Sequence, residues 1–236
     1  MNRGGKRFLV GHMCGKKLYG ENFEVYKKDY YAARDRQDTL RRIREVKAVI
    51  DPFLEWMQRT SESNAFLQYD EVRRLFRERM GWLSKELEWH TNNAGGWLDG
   101  FKLPKTLFDG FADPHKNFKT AAAEIANLGL LVVGKMELEK DVRVTFGTMQ
   151  IRLSELESAL DQLKEVEEFF QPAYLVEVCA QANERDNPNK RRYVLGILTI
   201  TCHRDNGSTT VQLPRDYKVP GREPITAFRK ALAGLS

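Results

Sequence analysis

The 236-residue chain has no apolar run near the roughly 20 residues needed to cross a bilayer; its longest run, residues 128–133, is interrupted by Gly129. A membrane span is therefore not expected. Cysteine is scarce as well. Cys14, Cys179 and Cys202 are an odd number in a fair-sized chain, which argues against a disulfide framework and for a reducing compartment, so the cytoplasm is the expected location. Residues 1–10 carry Arg3, Lys6 and Arg7 but only Phe8, Leu9 and Val10 as an apolar stretch, too short for a signal peptide. Phosphate loops of the forms GxxxxGK[ST] and GxGxxG are absent, and so are internal repeats and low-complexity tracts.

Residues suited to catalysis are equally few. Nucleophilic catalysis needs a base beside a Ser or Cys, and the four histidines, His12, His90, His115 and His203, sit in no recognisable elbow. His90 ends an expected helix and His115 opens one, which points to capping or surface roles. His12 with Cys14 and Cys202 with His203 lack the two-to-four-residue gap of structural zinc pairs, and neighbours on a strand face opposite ways. Glu137, Glu139 and Asp141 alternate, as on a solvated strand face. No catalytic, metal or cofactor residue is assigned; an enzyme with a site near His12, Cys14 and His203 is the minority alternative.

What the chain does have is an ordinary core-forming composition: 42% hydrophobic, 11% aromatic and 30% charged residues, with both signs interspersed. That mixture folds, because disordered chains are poor in aromatics. The net charge of +5 is uneven. Residues 1–100 hold 19 Lys+Arg against 15 Asp+Glu, residues 101–172 hold 9 against 12, and residues 173–236 hold 10 against 6. Basic ends permit an anionic partner without requiring one.

Apolar spacing predicts an α+β fold. Phe23, Tyr26, Tyr30, Ala33, Gln37 and Leu40 follow a 3-4-3-4-3 pattern that slips in phase through Ile43 and Val46 and continues to Ile50, Phe53 and Met57. Pro52 predicts a kink or a fresh helix. After a turn at residues 60–64, a second arm carries Phe66, Tyr69, Val72, Phe76, Met80, Leu83 and Leu87 and stops before Asn92, so residues 1–96 read as a helical hairpin. Residues 97–152 read as a connector with an Asp113-capped helix ending at Gly129, then a β-hairpin at 130–133 and 142–146. Residues 153–236 read as a helix opened by Ser154 and Glu157, three antiparallel strands at 174–181, 193–203 and 208–213, and a last helix from about Pro224.

Two resemblances follow from these orders. The helix, strand, charged turn and strand of residues 114–146 resemble the recognition helix and wing of a winged-helix domain, which implies DNA contacts through Lys116, Lys119, Lys135, Lys140 and Arg143. The α-β-β-β-α order from Leu153 onward resembles a double-stranded-RNA-binding domain. Basic clusters at Arg41, Arg42, Arg44 and Lys47, at Arg73, Arg74, Arg77 and Arg79, and at Lys190, Arg191 and Arg192 add phosphate-binding candidates. The function expected is that of a non-enzymatic accessory protein binding a protein partner or a second copy through its helical stripes, and nucleic acid, DNA or RNA, through basic surfaces. A purely structural scaffold is the alternative.

Overall fold

The computed structural model describes residues 2–3, 6–7, 16–17, 20–93, 95–98, 100–108, 113–134, 139–184 and 190–233, of which 2–3, 6–7, 21, 39, 42, 130–134 and 139–143 are described by backbone alone. The architecture is α+β and mostly helical. Strands β1 (Asn2–Arg3) and β2 (Lys6–Arg7) pair antiparallel. Then come α1 (Phe23–Ser61), α2 (Asn64–Arg79) and α3 (Gly81–Asn93), a minimal hairpin of β3 (Trp97–Leu98) and β4 (Phe101–Lys102), and α4 (Lys105–Phe108). Next are α5 (Pro114–Gly134), α6 (Glu139–Phe169) and α7 (Pro172–Glu184). A three-stranded antiparallel sheet of β5 (Arg192–Leu195), β6 (Thr199–Arg204) and β7 (Gly207–Gln212) precedes α8 (Glu223–Ala233). Among the described residues no helix is long and apolar enough to cross a membrane.

One apolar cluster runs from Ile43 to Leu232 and takes side chains from the N-terminal helices, from α5 and α6, and from the sheet. α1 packs chiefly on α5 and α8, while α5 and α6 form the most extensive helix pair. Gly129 lies inside α5 rather than ending it, and a Cβ there would sit 2.6 Å from Ile50 Cδ1. The glycine lets α5 approach α1. Asp113 caps α5 as expected, its Oδ1 accepting the Lys116 N–H at 2.9 Å. His115, in the first turn, is buried; its Nδ1 meets Asp70 Oδ2 at 2.7 Å and its Nε2 meets the Ser61 carbonyl at 3.0 Å, tying α5 to α1 and α2.

Several expectations are corrected. The β-hairpin of the connector is helix: residues 130–134 end α5 and residues 139–146 open α6, so the winged-helix order is not formed. Val142, Val144 and Phe146 alternate, but Phe146 also starts a buried 3-4 series through Met149, Leu153, Leu156, Leu160 and Leu163, and that packing overrides β propensity. Ser154 opens nothing; its hydroxyl bonds back to the Gln150 carbonyl at 3.2 Å in the middle of α6. Residues 174–181 form α7, burying Tyr174, Leu175, Val178, Cys179 and Ala182 at helical spacing. The expected strand 193–203 is two strands, turning where the Gly196 N–H bonds the Thr199 carbonyl at 2.8 Å. α1 continues through Pro52, whose missing bond to Ala48 is outweighed by burial of Ile50, Phe53 and Met57 on either side. The second arm divides at Met80, before Gly81, into α2 and α3.

The N-terminal part of α1 behaves differently from the rest. At about 100° per residue, the stripe of Tyr26, Tyr30, Ala33 and Gln37 lies roughly 140° around the helix from Ile43, Val46 and Ile50. The second set is buried, whereas Tyr30 is 52% exposed and Leu40 46%. Val25 and Tyr31, on other faces, are exposed too, so this part of α1 is exposed all round and not along one stripe.

The β5 edge of the three-stranded sheet is closed by a side chain. On β5, Asn183 Nδ2 donates to the Tyr193 carbonyl at 2.8 Å and the Tyr193 N–H donates to Asn183 Oδ1 at 2.7 Å. The amide stands in for a neighbouring strand. Asn183→Leu should lower the unfolding free energy by about 1 kcal/mol and leave this edge open to intermolecular pairing. Urea titration and light scattering against protein concentration would check it; unchanged stability with no added association would refute the assignment.

Candidate nucleic-acid interface

The basic clusters of the chain end in different surroundings. On α1, Arg41 pairs with Asp38 at 3.3 Å, and Arg44 is exposed; Arg42 is described by backbone alone. On α2, Arg74 is neutralised by Glu71 at 2.8 Å and Glu78 at 2.7 Å, the Arg73 guanidinium lies 5.9 Å from the Tyr69 ring centroid, and Arg77 is exposed. Lys116 and Lys119 are exposed on α5. Lys116 lines a groove of about 490 Å³ with Asn117, Arg152 and Gln162, but Arg152 there is held by Glu124 at 2.5 Å and Glu155 at 2.6 Å. Carboxylates blunt that groove for an anion. Lys135, Glu137, His12 and Cys14 lie outside the described residues, and Lys140, Arg143, Glu139 and Asp141 fall on the backbone-only start of α6.

The third cluster gains members. Antiparallel register sets Arg192 opposite His203, and Arg204 opposite Gly207 at the far end of the β6–β7 hairpin. That end of the sheet meets the C-terminus of α2, where Arg204 Nη2 donates to the Arg79 carbonyl at 3.4 Å and Arg79 Nη1 donates to the Thr210 carbonyl at 3.4 Å. Lys190, Arg191, Arg204 and Arg79 therefore share one corner, with Asp205 beside them, whereas Arg192 stands on the opposite face of β5. An open groove of about 480 Å³ runs through it, lined by Lys190, Arg191, Arg204, Asn206, Ser208 and Thr209 with Asp205 and Gly207. Guanidinium, ammonium, amide and hydroxyl donors in a shallow groove suit phosphate oxygens.

Aromatic packing fixes part of this corner. The Arg191 guanidinium lies 5.4 Å from the Trp82 ring centroid, and Trp82 stacks on Tyr193 at 6.1 Å and 15°. Burial pushes the Tyr193 hydroxyl well above the ordinary phenol range. Lys190 has φ +46°, a left-handed conformation that costs a non-glycine residue about 1–2 kcal/mol.

The outer face of the sheet carries Arg192, His203 and Ser208 in one row and Val194, Thr201 and Thr210 in the next, with Thr201 Oγ1 and Thr210 Oγ1 3.0 Å apart. Cys202 is buried on the inner face while His203 is exposed, so the two point opposite ways. Among the described residues no three His, Cys, Asp or Glu side chains are gathered as a metal would need. The order from α7 through β5, β6 and β7 to α8 is that of the double-stranded-RNA-binding resemblance, but α8 docks on α1 and α6 while α2 packs on β7. Arg204 and Trp82 are the residues that sequence reasoning left out of this site, and it did not join Arg79 to Lys190 and Arg191. Comparison with protein-family models, curated proteins and solved structures finds no match to the chain.

Proposed function

We propose that the protein is a non-enzymatic accessory component of a larger assembly that holds nucleic acid by its phosphates at the corner between α2 and the three-stranded sheet. The observation that supports this is the convergence there of cations from separate segments, Arg79, Lys190, Arg191 and Arg204, beside an open groove whose described lining holds one carboxylate, Asp205. The exposed, tyrosine-bearing start of α1 is the surface offered to a protein partner, and it alone also fits the alternative of a scaffold without nucleic acid. Buried, unbridged Cys179 and Cys202 accord with a reducing compartment.

Fluorescence anisotropy with a labelled oligonucleotide across salt tests the reading. If about four phosphates are engaged, affinity should fall roughly 100-fold between about 50 and 200 mM salt. Joint Lys190→Glu, Arg191→Glu and Arg192→Glu substitution should cut affinity at least ~10-fold, whereas Arg41→Glu with Arg44→Glu should change it little. No binding at about 50 mM salt, or loss of binding only with the α1 pair, would remove the corner from consideration.

A further inference from the structure

The cations of the corner continue into an aromatic stripe along α3. Trp82 and Trp89 are seven residues apart, so they lie on one side of the helix with about 10 Å of rise between them, and Lys85 stands on the same side. Trp82 is committed: Tyr193 stacks on it and Arg191 lies over it. Trp89 meets the His90 ring edge-to-face at 5.1 Å. It is 53% exposed, as Trp97 is at 54%, in a chain that buries Phe66, Phe76, Phe108, Phe118 and Phe169 completely. Lys85 is exposed beside it.

We infer that this stripe and the corner form a track for single-stranded nucleic acid, with phosphates at Lys190 and Arg191 and an unpaired base stacked on Trp89. The inference rests on the nucleic-acid reading of the corner and narrows it from phosphate binding in general to a strand whose bases are free. Charge complementarity and the exposed ring carry the choice. A cationic groove alone takes any polyanion, but an exposed indole one step along the same surface adds affinity only where bases are unstacked, since in a duplex their faces are covered. Arg191 has a fixed place in this track, because the Trp82 face beneath it limits where the guanidinium can point.

The full-length protein is tested with oligo-dT of about 16 nucleotides and with the dA·dT duplex of the same length, at low salt. The single strand should bind at least ~10-fold more tightly than the duplex and quench tryptophan fluorescence. Trp89→Ala should weaken single-strand binding roughly 10-fold with little change for duplex, and Trp89→Phe should restore most of it while abolishing most of the quench. Thermal melts of both variants confirm folding, which substitution of an exposed ring should not disturb. Equal affinity for the two oligonucleotides, or an unaffected Trp89→Ala protein, overturns the single-strand track while leaving the corner as a phosphate site. Absence of binding to either overturns both.

Discussion

Phe228→Ala should destabilise the protein by about 3–5 kcal/mol. That is about a fifth or more of the roughly 5–15 kcal/mol available to a typical folded domain. Phe228 stacks on Phe53 with ring centroids 4.4 Å apart and planes 8° from parallel, and Phe53 in turn stacks on Trp56 at 5.4 Å. With Ile225 and Leu232 it makes the buried face of α8, which closes over α1 and α6. Truncation to Ala leaves a void between two helices whose axes are held elsewhere by α5, so the site cannot readily collapse. Phe228→Leu keeps more of the volume and should lose less. Urea titration of the three proteins decides the matter; a loss under about 1 kcal/mol for Phe228→Ala would mean that α8 contributes little to the core.

Alkaline pH should be the second strong perturbant. Burial raises the Tyr69 hydroxyl from an ordinary value of 10.0 to about 12, opposed chiefly by the nearby Arg73. Burial likewise raises the Cys179 thiol from 9.0 to about 11, and the Tyr174, Tyr193 and Tyr217 hydroxyls move up for the same reason. In each case the folded state holds its proton more tightly than the unfolded chain does. The stabilisation is therefore fully present below the unfolded value, near 9 for the thiol and near 10 for the phenols. It is lost as pH rises from there through the folded value. For Tyr69 alone the loss approaches roughly 2–3 kcal/mol by about pH 12. Unfolding free energies should be level from neutrality to about pH 9 and then decline steeply, with Tyr69→Phe removing one proton's share of the slope. A curve that stays flat to about pH 11 would contradict the burial of these groups.

The helical stripes could be read from the chain wherever apolar residues recur at three and four and do little else. Ile43 to Met57, Phe66 to Leu87 and Leu156 to Val166 all proved buried along the expected faces. Asp113 and the Asp205-Asn206-Gly207 turn were readable because capping and hairpin chemistry are local. Residues 130–146 and 174–181 misled because β-branched runs suit a buried helix as well as a strand, and only the partner surface decides. The same limit applies to the candidate interface. Lys190, Arg191 and Arg192 are visible as a run of charge. The meeting of Lys190 and Arg191 with Arg204 depends on strand register, and the meeting with Arg79 on how α2 lies against β7; neither is encoded in spacing along the chain. Trp89 falls on no motif in the sequence; its exposure is a property of the fold.

The exposed start of α1 separates two jobs within a single helix. Residues 24–41 extend about 27 Å with no described side chain buried. Anything gripping the tyrosines would hold this spar without prying at its root. Changes at Tyr26 or Tyr30 can thus tune attachment while the melting behaviour stays as it was, and changes at Val46 or Ile50 do the reverse.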